Sequence, residues 1–479
     1  MRTVLIIIFV LLIAVLGLPY WFGMKAEHEY NNIIETVSKF ENLEIVSKSY
    51  KRGWLKSLAE ITISINEGDE SPIQIIERDT IYHGPIPIGL LSKGKVNLKP
   101  VMAVIETKAE ISTDTEKEYA GLINSLPQLN FETSLALGGQ GTTIVSAPGI
   151  DRKLEDGKTL NWSGLNGVVN FTPDLTEVSS DINSSNIEIE DDTFRVHISG
   201  VEINSNLNYP ASNYTNPLGD IDVKIEEFSS EGKDEGERNK VTLTNLQFTG
   251  FTNHNGNLFN HTHSLGFDTL IVGGNSYGPG IYELELRNIN KVAFEEIQRE
   301  LNENQSTQES ATASEALWAQ IMKALPQLLE GSPEIELTKL RIQTGDGELL
   351  GHALISLNGD DLNNPELAAN PLFLLAAVKA EVKLSVSKPL LENLLKDYKI
   401  EEITDEKKSR NEELPEDKEL QDLGKAKAQS EIKQMVDQNI LILKDGNYEI
   451  ETAYKLGQIT LNGNPLDLNS LLNLKNFRD

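Results

Sequence analysis

The stretch VVNFTPDLTEVSSDINSSNIEIEDDTFRVHISGVEINSNLN, Val168–Asn208, decides the fold class of this chain. Apolar and polar residues alternate in short runs, and turns of two to four polar residues separate the runs. Because successive side chains of a strand point to opposite faces, this alternation predicts strands that each bury one face. Turns this short join neighbouring antiparallel strands, so the stretch indicates a β-meander.

The same pattern extends from Glu41 to about Asn288, with Gly, Asn, Asp or Pro every ten or so residues. Two further strand faces read Phe131, Thr133, Leu135, Leu137 and Tyr282, Leu284, Leu286. Between two such runs, Asn255-Gly256 predicts a hairpin turn, because both residue types tolerate positive φ. We therefore expect a mostly β protein with some α, built as an extended antiparallel β-meander body with a few packed helices.

Apolar residues recur at helical spacing in three segments, which predict helices at His28–Phe40, Val292–Leu301 and Ser314–Leu329. Ser314 is a candidate N-cap for the last of them. The polar run NQSTQESATAS, Asn304–Ser314, predicts a linker between the last two helices. It separates the β-rich part of the chain from a mixed part.

The N-terminus, MRTVLIIIFVLLIAVLGLPYWFGMK, has 21 consecutive uncharged residues from Val4 to Met24. At about 1.5 Å of rise per residue, such a helix matches a hydrocarbon core of about 30 Å. Arg2 precedes the run, and Tyr20 and Trp21 form an aromatic belt at its far end. A cleaved signal peptide would have a shorter apolar region and a small-residue cleavage site. We expect an uncleaved single-pass anchor in a bacterial inner membrane, with the N-terminus cytoplasmic and the body periplasmic.

The chain therefore divides into a transmembrane anchor at 1–24, a β-rich periplasmic region at 25–290 and a mixed α/β periplasmic region at 291–479. In the last region, residues 404–422 are nearly all charged or polar, which predicts a charged loop, mobile or forming an exposed helix. The other expected elements are strands around Ile335–Ile342, Leu354–Leu357 and Val382–Val386, a helix at Ala428–Val436, and two final strands with an Asn462-Gly463 turn.

The charge and the absence of cysteine exclude several classes of function. Lys and Arg number 43 against 73 Asp and Glu, so the formal charge is −30 and nucleic acid would be repelled. A soluble, solvated surface explains this charge better than recognition of a cationic partner. Without cysteine the chain can form no disulfide, no thiolate nucleophile, no thiolate zinc site and no cysteine-linked lipid.

No familiar catalytic or cofactor motif is complete. GLLSKGKV, Gly89–Val96, has the glycine spacing of a phosphate loop but lacks the hydroxyl residue that holds magnesium. His254, His261 and His263 fall within one predicted hairpin, and the last two would share a strand face. Interleaved asparagines favour a polar, solvent-facing hairpin over a metal site. We expect no catalytic, cofactor-binding or metal-ligating residues.

The stretch IYHGPIPI, Ile81–Ile88, contains the one histidine that invites a catalytic hypothesis. A catalytic His83 needs an orienting carboxylate and a nucleophile, and the nearby Glu77 and Asp79 do not complete a triad. The structural interpretation is that Gly84 adopts a conformation closed to other residues while Pro85 fixes φ, which ends a strand and redirects the chain. We favour the structural interpretation.

The segment SYKRGWLKS, Ser49–Ser57, followed by HGPIP, resembles the YdgA/YihF-like family of bacterial inner-membrane proteins, whose function is not established. The family pattern Tyr-x-x-Gly-Trp/Phe-x-x-Ser, followed by His-Gly-Pro, is matched by Tyr50, Gly53, Trp54, Ser57, His83, Gly84 and Pro85. ELTKLRIQTGDGELLGHALISL and YKLGQITLNGNPL also look like the family's C-terminal segments, so the resemblance covers essentially the whole chain. The middle of the chain and the charged insertion near residue 410 depart from it. The resemblance implies a β-rich fold and no catalytic residues.

Two functions remain open. In the first, the chain is a non-enzymatic, membrane-anchored envelope protein with a structural or protein-interaction role, its partner a second copy or another envelope protein. In the second, one apolar face of the meander lines a groove for phospholipid acyl chains, as in AsmA-like lipid carriers, whose strand-turn-strand texture is similar. An enzyme would be a hydrolase built around His83. We expect no cofactor. We expect Trp54 to be a core aromatic residue, with a role at an interface as the alternative.

Overall fold

The computed structural model describes residues 2–40, 43–65, 73–112, 120–154, 157–210, 217–233, 240–297, 324, 327–328, 331–357, 377–410 and 413–466, with the side chains of 2–16, 112, 120 and 121 outside the description. The chain forms two compact units, Met1–Thr252 and Asn253–Asp479. The described helices are α1 Arg2–Val37, α2 Ala120–Ile123, α3 at 291–297, α4 Lys388–Ser409 and α5 Asp417–Asp437, with a 3-10 helix at Ile88–Lys93.

The described residues of unit 1 form thirteen strands, the last of which ends just past the boundary of the unit. They are β1 Leu43–Lys51, β2 Lys56–Ile65, β3 Ile73–His83, β4 Ala103–Ser112, β5 Leu129–Leu135, β6 Gly141–Ala147, β7 Ile150–Lys153, β8 Thr159–Trp162, β9 Leu165–Phe171, β10 Glu177–Glu190, β11 Phe194–Asn208, β12 Leu218–Gly232 and β13 Lys240–Asn255. Each of β1 to β5 pairs antiparallel with the next strand. β6 then pairs with β9, the β7–β8 hairpin lies aside, and both β8 and β9 pair with β10.

Unit 2 continues the chain with ten strands. They are β14 Leu258–Phe267, β15 Thr269–Val272, β16 Asn275–Asn290, β17 Glu334–Thr344, β18 Gly347–Leu357, β19 Val378–Ser387, β20 Ile442–Lys444, β21 Asn447–Lys455, β22 Gln458–Leu461 and β23 Asn464–Pro465. β14 and β15 both pair with β16, and β16 to β19 follow as a meander. β19 then pairs with β21, because α4 and α5 are inserted before β20. The predicted β-rich antiparallel fold with a few helices is confirmed.

The strand register explains the alternation seen in the sequence. Ile182 of β10 lies opposite Ile203 of β11, which lies opposite Val223 of β12. On the other face, Asp181 stands opposite Asn204. One face of the sheet is therefore apolar from strand to strand while the other is polar, as antiparallel sheets with one solvated face require.

α1 covers the apolar face of β2 to β4. Four of its buried apolar residues recur every four positions, which places them on one side of the helix: Phe22, Ala26, Tyr30 and Ile34. They pack against side chains that the register puts on a common face of the sheet, including Ile61, Ile81, Ala103, Ile105 and Leu135. This cluster is the main core of unit 1.

The N-terminal helix runs without interruption through the predicted helix at His28–Phe40, which it leaves at Val37. In the part of the chain that the structure describes, no helix combines the length and apolarity needed to cross a bilayer. Most of the predicted anchor at 1–24 falls on residues 2–16, whose side chains lie outside the described residues.

Of the two forms expected for residues 404–422, a mobile loop or an exposed helix, the structure has the exposed helix over most of the segment, because α4 extends to Ser409 and α5 begins at Asp417. The two helices pack on each other through small and aliphatic residues such as Ile403, Gly424 and Ala428. A β-carbon on Gly424 would lie 2.5 Å from Ile400 Cγ1, so glycine allows this close approach. Few residues of these charged helices are buried, and they form the contact between α4 and α5.

Smaller differences concern turns and helices. Leu137 lies in the turn after β5 instead of in the strand. The predicted Asn255-Gly256 turn is formed one position later, by Gly256 and Asn257, with φ +62° at the glycine. The Asn462-Gly463 turn is confirmed, with φ +49° and +78°. The predicted helix at Ser314–Leu329 lies almost wholly outside the described residues.

Candidate functional site

The seven motif residues converge at one end of the sheet in unit 1. Tyr50 is near the end of β1, Gly53 and Trp54 lie in the loop to β2, and Ser57 is the second residue of β2. His83 is the last residue of β3, which pairs with β2. Gly84 and Pro85, joined by a cis peptide bond, lead away from the strand. We call this arrangement the clamp.

A buried hydrogen-bond chain runs through the clamp. His83 Nδ1 lies 3.0 Å from the Trp54 carbonyl oxygen, which can only accept, so this nitrogen carries the proton. Nε2 is then the acceptor for the Ser57 hydroxyl at 2.8 Å. Burial lowers the pKa of His83, although the carbonyls of Trp54 and Pro19 oppose that change. The imidazole is therefore neutral and holds the β1–β2 loop against the end of β3.

The two glycines of the clamp are required for space. A β-carbon on Gly53 would lie 2.3 Å from the Lys56 carbonyl oxygen, and one on Gly84 would lie 1.8 Å from the Val101 carbonyl oxygen. The Gly84 N–H donates to the Met102 carbonyl at 2.8 Å. Gly84 does not have positive φ, so the predicted reason for this glycine is wrong: close backbone packing demands it.

α1 closes the clamp from above. A β-carbon on Gly23 would lie 2.4 Å from His83 Cε1, so the helix rests directly on the imidazole. The Tyr20 and Trp54 rings have centroids 5.1 Å apart, and Arg52 pairs with Glu27 at 2.9 Å. These contacts fix α1 to the loop between β1 and β2.

Trp54 is not a core residue, because 53% of its surface is exposed. The Tyr20 ring of α1 packs against it. The prediction of a core aromatic failed because a tryptophan between Gly53 and Leu55 fits a buried site and a loop tip equally well in sequence.

Tyr30 of α1 and Tyr50 of β1 form a further contact between the helix and the sheet. The centroids of the two rings lie 5.5 Å apart, and the buried Tyr50 hydroxyl has no partner within hydrogen-bond geometry among the described residues. Burial raises the pKa of Tyr50, and the nearby Ser57 hydroxyl offsets part of that rise. The Tyr30 hydroxyl donates to Asp79.

Two carboxyl groups lie on the apolar face beneath α1. Asp79 is buried and accepts hydrogen bonds from Tyr30 and Thr107. Burial raises its pKa, and these two donors counteract the rise. Burial and the neighbouring Asp79 raise the pKa of Glu77 to about 7. Sequence reasoning treated both as candidate partners of His83, whereas Asp79 serves α1. The signal was their parity, since residues 77, 79, 81 and 83 share one strand face.

The Ser57–His83 pair resembles part of a hydrolase site in composition but not in access. Both residues are only 1% exposed, and the imidazole is oriented by a backbone carbonyl instead of a carboxylate. A nucleophile must reach the substrate, and here α1 lies over the pair. The arrangement is suited to holding α1 on the sheet.

The two histidines of β14 are less exposed than predicted. His261 and His263 share a face, opposite Leu286 and Leu284, and are half-buried instead of facing solvent as predicted. Their ring centroids are 5.5 Å apart, and His263 Nε2 lies 3.2 Å from the Tyr282 hydroxyl. Among the residues that the structure describes, no group of three or more metal-ligating side chains comes together.

Unit 2 offers a second candidate site, its apolar face. The register from β14 to β19 places on this face Leu265, Leu284, Leu286, Ile335, Leu337, Leu340, Ile355, Val382 and Leu384. Four of these, Leu265, Ile335, Ile355 and Val382, are between 39% and 47% exposed. Large apolar side chains in contact with solvent along a sheet face mark a binding surface.

The opposite face of the same sheet is charged. Arg287 binds three glutamates, with Glu285 at 2.5 Å, Glu334 at 2.8 Å and Glu336 closer still. His352 also contacts Glu336, at 2.8 Å. The sheet of unit 2 therefore has an ionic face and an apolar face. The alternation in the sequence predicts two such faces but does not show whether the apolar one is exposed to solvent.

The family model described as "Bacterial protein of unknown function (DUF945)" matches residues 1–469. An uncharacterized protein of Haemophilus influenzae is 26% identical over 297 residues, which cover 58% of this chain and 79% of that protein. Protein YdgA of Escherichia coli is 20% identical over 359 residues, which cover 69% of this chain and 70% of that protein. No solved structure matches the chain significantly.

Proposed function

The chain belongs to the DUF945 family of bacterial proteins of unknown function, and from that premise we propose that it binds phospholipid acyl chains on the apolar face of unit 2. The resemblance to YdgA drawn from the motif residues is confirmed. In this proposal the chain is a non-enzymatic protein of the cell envelope, anchored in the inner membrane with its body in the periplasm.

The partly exposed apolar face of unit 2 carries the proposal. Ile335 and Ile355 stand opposite each other on neighbouring strands and both remain exposed, in a chain with a formal charge of −30. Covering such side chains with hydrocarbon contributes about 25 cal/mol for each Å² of apolar surface removed from water. An acyl chain gains about 0.8 kcal/mol for each methylene that it buries in return.

An acyl chain fits this face better than a soluble partner protein does. The residues that line it are aliphatic on the neighbouring strands β17 to β19, and its polar side chains, His261, His263 and Tyr282, lie on β14 and β16 at one side. Protein interfaces, in contrast, mix apolar anchors with hydrogen-bonding groups. The ionic groups of the sheet, such as Arg287 and its glutamates, are on the other face. An alkyl chain needs no polar partner.

The uncharged run Val4–Met24 supports the anchor. It lies within α1, and the docked part of that helix begins where the run ends, at Phe22 and Gly23. A span of about 20 apolar residues matches the bilayer core. The anchor would place the sheet of unit 1 next to the membrane.

Mass spectrometry of lipid bound to the full-length protein tests the proposal. Ile355→Asp puts a charge on the apolar face and should lower the phospholipid that stays bound after detergent exchange about tenfold. The matched control is Leu350→Asp, on the same strand and 38% exposed, but on the charged face opposite Arg341. Equal lipid on both variants, or none on the unmodified chain, would overturn acyl-chain binding.

A second candidate, a structural or protein-interaction role, is favoured by the edge of the sheet in unit 1. Among the strands that the structure describes, β1 pairs only with β2, and its Val46 is 54% exposed at a register shift. An unpaired edge can add a strand from a second copy or from another envelope protein. Native mass spectrometry of the full-length chain tests self-association, because a purely monomeric, lipid-loaded chain contradicts it.

A further inference from the structure

The end of unit 1 that carries the clamp has a surface that neither the clamp nor the apolar face of unit 2 explains. Three loops meet there, the first taken with the strand residues that flank it: 51–56 at the connection between β1 and β2, 84–102 between β3 and β4, and 136–140 between β5 and β6. Backbone hydrogen bonds join them, from His83 N–H to the Leu55 carbonyl at 3.0 Å and from Met102 N–H to the Leu135 carbonyl at 2.7 Å. We call their exposed tips the loop end.

The loop end exposes large apolar side chains on every one of its loops. They are Trp54, Leu55, Ile86, Leu91, Val96, Leu98 and Leu137, of which Leu98 is 73% exposed. Exposed apolar side chains scattered singly are ordinary, whereas a cluster on adjoining loop tips marks a surface that meets another apolar phase.

α1 adds to the same surface. Gly23 sits on His83 and Tyr30 on Asp79, so the helix runs along β3 and its earlier residues reach the loop end. Four of these residues are exposed and apolar or aromatic: Leu18, Tyr20, Trp21 and Met24. Lys25 lies 4.3 Å above the Trp21 ring. Tryptophan and tyrosine beside lysine are the residues that settle at a membrane–water interface.

The charge of the loop end is opposite to that of the chain. The three loops contain six basic residues, Lys51, Arg52, Lys56, Lys93, Lys95 and Lys99, and no acidic residue. Neighbouring glutamates pair with Arg52, Lys93 and Lys95, which leaves a positive surplus. In a protein with a formal charge of −30, this local reversal is suited to an anionic surface.

We propose that the loop end is a membrane-contacting surface that inserts its apolar tips into the headgroup layer of a bilayer containing anionic phospholipid. Trp54 and Leu98 enter the interface, and the lysines extend toward lipid phosphates while their methylene stems cover apolar surface. This surface is separate from the proposed acyl-chain site of unit 2 and does not depend on it.

The absence of cysteine makes a direct test possible in the full-length chain. Leu98→Cys and Leu456→Cys replace leucines that are 73% and 70% exposed, so neither change disturbs a core. Each carries an environment-sensitive fluorophore in nanodiscs of phosphatidylcholine and phosphatidylglycerol. Nitroxide-bearing lipids should quench the label at residue 98 about threefold more than the label at residue 456.

Equal quenching at the two positions would overturn the proposal. Nanodiscs of phosphatidylcholine alone test the charge, because quenching at residue 98 should fall when anionic lipid is removed and when Lys56→Glu is introduced. If quenching at residue 98 is the same without anionic lipid and with Lys56→Glu, recognition of anionic lipid is refuted. Ile355→Asp should leave the label at residue 98 unaffected, so failure of acyl-chain binding in unit 2 is distinguishable from failure here.

Discussion

The sheet of unit 1 buries its apolar face under a helix at β2 to β4, whereas unit 2 keeps large side chains of its apolar face in contact with solvent. Ile81 and Ile355 illustrate the difference: both lie within central strands of a meander, and they are 0% and 47% exposed. The strand pattern decides which side chains share a face. A further element decides whether that face is closed, and only the closed one contains the buried polar groups of the clamp.

Replacing each isoleucine by alanine should give the largest contrast between the two regions. Ile81→Ala creates a cavity under α1 and should cost about 2–5 kcal/mol in the free energy of unfolding, whereas Ile355→Ala should cost less than about 1 kcal/mol. Hydrogen exchange of peptides from β3 and β18 measures the two effects separately. Similar losses at both positions would mean that Ile355 is as closely packed as Ile81.

Adding one methyl group to the clamp should have the next largest effect. Gly84→Ala places a β-carbon 1.8 Å from the Val101 carbonyl oxygen and should cost about 3 kcal/mol by displacing the backbone. Gly345→Ala is the matched control in unit 2, because its β-carbon would meet no atom within 4 Å. Urea denaturation should show a control change within about 0.5 kcal/mol. A tolerated Gly84→Ala would refute the close-packing account.

The two regions should also respond to pH with opposite signs. The folded-state pKa of Glu77, about 7, exceeds its ordinary 4.5, so the folded chain binds more protons between these values. Its contribution to stability is complete below pH 4.5 and is lost as the pH rises through 7. In unit 2, hydrogen bonds from His352 and Arg287 lower the pKa of Glu336, whose contribution is lost as the pH falls through that lowered value.

Several groups contribute to the pH dependence of unit 1. The raised pKa of Asp79 acts in the same direction as that of Glu77, whereas the lowered pKa of His83 acts in the opposite direction below pH 6.5. Glu77→Gln isolates the part that comes from Glu77. Relative to the unmodified chain, the variant should gain about 2 kcal/mol of stability between pH 5 and pH 8. Hydrogen exchange of β3 peptides at several pH values provides the measurement. A constant difference across that range would show that Glu77 ionises normally.

The smallest expected effect concerns the hydrogen bond between α1 and the sheet. Tyr30→Phe removes a donor to buried Asp79 and should cost about 1–2 kcal/mol, with faster exchange in the docked part of α1. Tyr398→Phe, at a tyrosine of α4 that is 60% exposed, is the control and should change nothing measurable. If the two variants behave alike, the Tyr30 contact does not hold the helix.

The meander could be predicted from sequence because a period of two is a local property of each strand. β10 and β11 follow the alternation of Val168–Asn208 closely. For residues 404–422 the sequence left a mobile loop and an exposed helix open, since the choice depends on packing between α4 and α5, through residues such as Ile403 and Gly424. The local run of charged residues does not reveal that packing.

The clamp could be predicted in part. Tyr50, Ser57 and His83 were singled out, but their hydrogen bonds arise from the register of β2 with β3 and from the loop that brings the Trp54 carbonyl to the imidazole. The surroundings of Trp54 include the Tyr20 ring of α1, a contact between residues distant in sequence that no local pattern reveals. Asp79 is the residue that strand parity could have placed beneath α1.

α1 contacts the sheet along one side, and two of these contacts, Gly23 on His83 and Tyr30 on Asp79, are seven residues apart and so about 10 Å apart along the helix axis. Seven residues make nearly two turns, so both contacts lie on one side of the helix. Two such contacts on a rigid rod set its direction and its rotation about its own axis. α1 therefore leaves the sheet of unit 1 in a fixed direction, and the part of the helix before Gly23 continues along that direction.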